Sequence, residues 1–194
     1  RFKSCGEYIV VLRLSQWTPT NESRRVRNKK YASYRCIEVE TVKIFNKFYP
    51  LMCIDEIQNT HFNKPDHKKV TYKVGEKTKM DKPETFDTNI NNVIAPGIHY
   101  FMDMSRAFYF DLPIGDYTGH YIIYDEDGGI LDEGDYDNGK LCGEWHRYWN
   151  HIKDFIAKDI ITYNKGIIKF TKSYVANNDG TDERLTRTRE YNSD

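Results

Sequence analysis

The stretch Gly119-His120-Tyr121-Ile122-Ile123-Tyr124 and its near-copy Gly143-Glu144-Trp145-His146-Arg147-Tyr148 decide how this chain is read. Both run Gly-x-aromatic-x-x-Tyr. A second element also recurs, Tyr136-Asp137-Asn138-Gly139 returning as Tyr163-Asn164-Lys165-Gly166. Recurrence at a spacing of a few tens of residues is the signature of stacked units that cannot bury their apolar face alone. The unit here is a β-hairpin, because Asn138-Gly139 and Asp127-Gly128-Gly129 supply the positive φ angles of tight turns. The alternating aromatics suit cross-strand packing. The spacing predicts Trp145 and Tyr148 together on one sheet face or edge, with Gly143 close to a neighbouring backbone. Tyr121, Tyr124, Trp145, Tyr148 and Trp149 are therefore the aromatic candidates for an interaction surface.

Working outward, 194 residues hold one medium domain or two small ones. Aromatics reach 14%, with 15 Tyr and 10 Phe, so much of the apolar area comes from rings, most of them carrying a polar tip. No apolar run approaches the roughly 18 residues of a membrane span, and no signal peptide is expected. Cys5, Cys36, Cys53 and Cys142 show neither a CxxC pair nor zinc-like spacing, which predicts a reducing compartment. Net charge is zero but uneven: residues 1–110 carry 19 Lys/Arg against 12 Asp/Glu, and residues 111–194 carry 10 against 17. That dipole predicts self-association through oppositely charged halves and argues against specific nucleic-acid binding.

Alternation predicts strands over Glu7–Ser15, Tyr34–Phe45, Val70–Val74 and Gly97–Phe101. Asp103 reads as the N-cap of a short helix through Tyr109. Ser23–Lys30 reads as an exposed basic loop, with Arg24, Arg25, Arg27, Lys29 and Lys30 as candidates for contact with phosphate, a lipid surface or an acidic protein face. Phe48–Ile57 is apolar and ambiguous. Residues 176–194 read as a flexible tail. The expected class is α+β, mainly antiparallel β, with a compact domain over 1–112 and a hairpin array over 113–175.

Several segments occur in a familiar order: Lys30-Tyr31-Ala32-Ser33-Tyr34-Arg35-Cys36, Tyr72-Lys73-Val74-Gly75-Glu76, Phe86-Asp87, then Gly97-Ile98-His99-Tyr100-Phe101 with Ala107 and Tyr109. Together, over residues 5–110, they resemble an uncharacterised domain family of giant viruses, other large DNA viruses and phages. Val93-Ile94-Ala95-Pro96 departs from the family pattern, which has a Cys there. Residues 117–170 are similar to MORN-type repeats, which form hairpin arrays. The resemblance implies viral origin and this architecture more than a function.

Candidate chemistry is sparse. Gly97, Tyr100 and Phe101, with Ala107 and Tyr109 on the following helix, also look like the central motif of ADP-ribosyltransferases, where a tyrosine stacks on nicotinamide. The late glutamate that chemistry needs has no well-placed counterpart, since Glu126, Glu133 and Glu144 fall in the repeats. His61, Asp66 and His67 form a weak metal-like cluster without HxxxH or HExxH spacing. Asp125-Glu126-Asp127 and Asp132-Glu133-Gly134-Asp135 lack the alternation of a calcium loop and read as charged hairpin tips. Those tips oppose the Arg24–Lys30 loop in sign, which predicts a salt-sensitive contact with the chain's own basic half or a neighbouring copy. The expectation is a non-enzymatic viral structural or interaction module, such as a minor capsid or virion-associated protein, needing no cofactor. It would bind other viral or host proteins, in the virion or the host cytoplasm.

Overall fold

The computed structural model describes residues 1–59, 70–149, 155–177 and 183–191. The chain is mostly antiparallel β, with one six-residue α-helix among the described residues. It divides into two compact units: Arg1–Pro113 together with Glu126–Gly128, and Ile114–Asp125 together with Gly129–Asp194.

The first unit begins with a hairpin, β1 (Phe2–Cys5) and β2 (Tyr8–Arg13), turned at Gly6 with φ 57°. Then follow β3 (Ser33–Cys36), β4 (Glu38–Asn46), β5 (Glu56–Gln58), β6 (Thr71–Lys73), β7 (Lys77–Lys79), β8 (Ile98–Phe101) and the helix α1 (Met104–Tyr109). Six of the strands form one sheet in the order β3-β8-β1-β2-β4-β7, while β5 and β6 pair separately. The expected single strand over Tyr34–Phe45 is two strands that break at Ile37 and lie at different positions in this sheet. The alternation that predicted one strand holds only in β4. In β3, Tyr34, Arg35 and Cys36 are all buried, which no half-exposed strand allows.

One face of the sheet carries the main core, with Val10, Leu12, Tyr34, Cys36, Ile44 and Tyr100 packed with Tyr72. The other face carries Ile9 and Phe45, paired across β2 and β4, and Phe2 and Phe101, paired across β1 and β8. Helix α1 packs on this second face, against β1, β8 and β2. As expected, Asp103 caps it, accepting from the Ser105 N–H at 2.8 Å. Six helical residues span only about 9 Å, so α1 leaves part of this face uncovered.

The outer edge of β3 is closed by its own neighbours. Asn21 exchanges backbone and side-chain hydrogen bonds with Arg35, and the Ser33 N–H donates to the Glu126 carbonyl at 3.0 Å. At the other edge β7 reads Lys-Thr-Lys, charges that discourage pairing with another chain.

The second unit is a single meander: β9 (Gly119–Tyr124), β10 (Ile130–Asp137), β11 (Lys140–Trp149), β12 (Phe155–Asn164), β13 (Ile167–Asn177) and β14 (Arg184–Glu190), each paired with the next. The recurring Tyr-x-x-Gly element makes two equivalent turns, Asn138-Gly139 at φ 46° and 69° and Lys165-Gly166 at φ 50° and 85°. These are the positive-φ pairs that match strand twist in two-residue hairpins. The segment read as a tail contains β14, because Arg184–Glu190 completes the ladder of β13. Asp132, Glu133 and Asp135 lie within β10 and not at a hairpin tip.

Trp145 and Tyr148 stand on opposite faces, as an odd separation along one strand requires. Trp145 joins a ladder of edge-on rings with Tyr136 (5.2 Å) and Tyr163 (6.4 Å), and Tyr136 meets Tyr121 at 5.6 Å. Tyr148 lies on the other face and donates to Glu133 at 2.7 Å. The close approach expected at Gly143 occurs instead at Gly134. A Cβ at Gly134 would meet the Trp145 indole at 2.5 Å, whereas Gly143, at φ 64°, has open space around it. Gly134 sits at a β-bulge, where a strand interior can use a residue without a side chain.

Candidate docking surface

The most exposed apolar segment of the first unit follows β4. Asn46 ends that strand, and its side-chain oxygen accepts from the N–H groups of Phe48 (2.9 Å) and Tyr49 (3.1 Å). The Met52 N–H closes a turn on the Tyr49 carbonyl, and the Asn46 N–H reaches Met52 in return. Six residues are thereby held in one shape with their apolar side chains outward. Tyr49 is 70% exposed and Leu51 99%. Phe48 and Met52 are partly exposed beside them. Sequence reading found this run apolar but ambiguous. The signal lies in Asn46-Lys47-Phe48-Tyr49-Pro50-Leu51-Met52, a capping side chain followed by a proline-containing turn.

Beside the loop lies a groove of about 360 Å³. Ile9 and Phe45 form its floor, Met104, Phe108 and Tyr109 its helical wall, and Pro50 its loop side. It exists because α1 is too short to cover β2 and β4. Phe48 and Phe108, 6.1 Å apart and edge-on, join loop to helix.

Two lysines border this apolar space, and no carboxylate lines it among the described residues. Lys43 is exposed and rests over the Phe45 ring at 5.6 Å. Lys47 is buried, its Nζ donating to Ser4 Oγ (2.8 Å) and the Phe110 carbonyl (2.9 Å). Burial lowers its pKa to about 8, a shift that the nearby Asp111 carboxylate only partly opposes.

The sequence-derived basic candidates separate in the structure. Arg25, Arg27, Lys29 and Lys30 are exposed, and Lys30 pairs with Asp103 at 3.3 Å. Arg24 is not part of the exposed loop: it is 3% exposed and directed inward. Its guanidinium donates to Asp127 at 2.6 Å, to the Ser33 carbonyl at 3.2 Å and to the Glu126 carbonyl. These contacts hold the buried charge, so Arg24 is unavailable to an outside partner. Of the aromatic candidates, Tyr124 and Trp145 are also buried, at 7% and 6%. Tyr121 and Tyr148 are partly buried, and Trp149 is 46% exposed with its indole N–H donating to Asp159.

The nicotinamide-pocket reading meets a physical obstacle. Tyr100 and Ala107 are fully enclosed. The Tyr100 hydroxyl donates to Glu22 at 2.6 Å, and burial with that bond pushes its pKa far up. A ring so enclosed offers no face for stacking. Tyr109 alone of that set reaches the groove.

No protein family, characterised protein or solved structure matches the chain. Among the described residues, no group of His, Cys, Asp and Glu is arranged to hold a metal ion, and no helix is long and apolar enough to cross a membrane. His61, Asp66 and His67 lie outside the described residues. Buried Cys5 and Cys36 have pKa values pushed up to about 11 and about 12 by burial, which makes them poor nucleophiles.

Proposed function

We propose that the protein is a non-enzymatic interaction module that binds another protein through the Phe48–Met52 loop and the adjoining helix. The observation that carries this reading is the exposure of Tyr49 and Leu51 on a loop held by Asn46. Water-exposed apolar side chains on a fixed backbone cost solubility without serving the chain's own core, and they mark a surface that a partner covers. In this reading the second unit is a MORN-like hairpin array that serves as a scaffold, with Trp149 as its most exposed aromatic candidate. Viral origin and a virion-associated or minor capsid role complete the proposal, resting on the sequence resemblance alone.

The test is a photo-reactive side chain placed at position 51 in the full chain, expressed where the protein naturally accumulates. A discrete cross-linked protein, lost when Met104 is changed to Asp, is expected. Cross-linking to no discrete protein, with Leu51→Asp leaving particle association unchanged, would overturn the reading. Mass spectrometry of purified particles tests the virion assignment separately.

A further inference from the structure

Resting on that reading, we infer that the groove between α1 and strands β2 and β4 seats an apolar side chain carried by an acidic segment of the partner protein. The floor and helical wall are apolar, whereas the charged groups at the groove are both cationic. Lys43 has no ion-pair partner among the described residues, and its ammonium stays beside the opening over Phe45. An anion entering there would meet the Lys43 charge with no carboxylate among the lining residues; the Asp111 carboxylate acts on Lys47, not on the lining. Lys47 adds field from below, its side chain fixed by Ser4 and Phe110 and therefore not free to move outward.

The dimensions favour a peptide over a free small molecule. At about 360 Å³ the groove is at the low end of ligand pockets. A molecule confined to it would leave Leu51, 99% exposed, and Tyr49 uncovered. A peptide anchored in the groove can continue past Pro50, which lines it, onto the two residues that flank Pro50 in the loop. Apolar anchoring with charges at the rim is the usual division of labour at an interface, the first giving affinity and the second selectivity.

Fluorescence anisotropy on the full chain provides the test. Two labelled peptides share one Leu- and Phe-containing core, flanked by Glu in one and by Lys in the other. The acidic peptide should bind about five- to tenfold more tightly, and Lys43→Glu should invert that order. Met104→Asp, at a half-exposed helix position, should weaken both. A preference that ignores the charge at position 43 would overturn the inference, and so would equal binding of the two peptides. Saturable binding of decyl sulfate with no binding of either peptide would overturn it in favour of a small amphiphile. If position 51 still captures a partner while Lys43→Glu changes nothing, the docking surface stands and only its acidic specificity fails.

Discussion

Replacing Gly134 by alanine should destabilise the second unit far more than the same change at Gly143, although neither position bears chemistry. At Gly134 the added methyl would lie 2.5 Å from the Trp145 indole. The indole cannot yield cheaply, since its N–H donates to the Asp135 carbonyl at 2.9 Å and its ring edges meet Tyr136 and Tyr163. Displacing it weakens two ring contacts of roughly 0.5–1.5 kcal/mol each. The partly buried hydrogen bond it strains is worth roughly 1 kcal/mol. The sum is roughly 2–4 kcal/mol. Gly143 has positive φ and empty surroundings. Alanine there meets only backbone strain of about 1–2 kcal/mol, offset by roughly half through lost freedom of the unfolded chain. Urea denaturation followed by tryptophan emission and far-ultraviolet dichroism separates the two cases. Equal losses, or a Gly134→Ala variant as stable as wild type, would show that the indole is not confined as the ring geometry requires.

The remaining expectations concern charge and the loop. The His99 Nε2–H donates to the Ala95 carbonyl at 3.1 Å, and burial, with the Lys3 ammonium nearby, lowers its pKa to about 4, so the folded chain resists the proton that the unfolded chain takes near 6.5. Stability should therefore fall by about 3 kcal/mol as pH drops from 6.5 through 4, and His99→Gln should flatten that slope in acid titrations. Lys47 behaves alike at higher pH: with a folded pKa of about 8 against 10.5, it adds stability as pH rises across that interval, so the wild-type minus Lys47→Met difference should grow there. Arg24→Met should cost about 2–3 kcal/mol in urea midpoints, whereas Asp127→Asn should cost under about 1, because that carboxylate is 52% exposed. Asn46→Ala should lower stability by about 1–2 kcal/mol through two lost backbone contacts, while Leu51→Asp should leave it within roughly 0.5.

The hairpin half was legible because its signals are local. Asn138-Gly139 announces its turn, Lys165-Gly166 shares its preceding tyrosine, and strands follow by alternation. Asp103 was legible for the same reason. What escaped were features set by distant partners. The composition of Arg184–Glu190 fits a solvated tail, and only the edge of β13 makes it a strand. Arg24 looks like its basic neighbours, and it is the carbonyls of Ser33 and Glu126 that turn it inward. The groove was invisible because it depends on how short α1 is relative to the sheet below it. No residue type encodes that difference in length.

The placement of Glu126–Gly128 within the first unit bears on the order in which the molecule can be completed during synthesis. Strand β3 is finished early, yet the Ser33 N–H and the Arg24 guanidinium both wait for the Glu126 carbonyl, about a hundred residues later. A Cβ at Gly128 would fall 2.3 Å from the Asn28 carbonyl oxygen, so the late segment enters a backbone slot that admits only glycine. The meander, by contrast, joins each strand to the next one made, with short loops to close. A ribosome stalled before residue 126 would thus hold a first unit with an open sheet edge and an Arg24 guanidinium lacking its Glu126 and Asp127 partners. The nascent chain exposes that unpaired β3 edge just before the strands of the meander begin to pair.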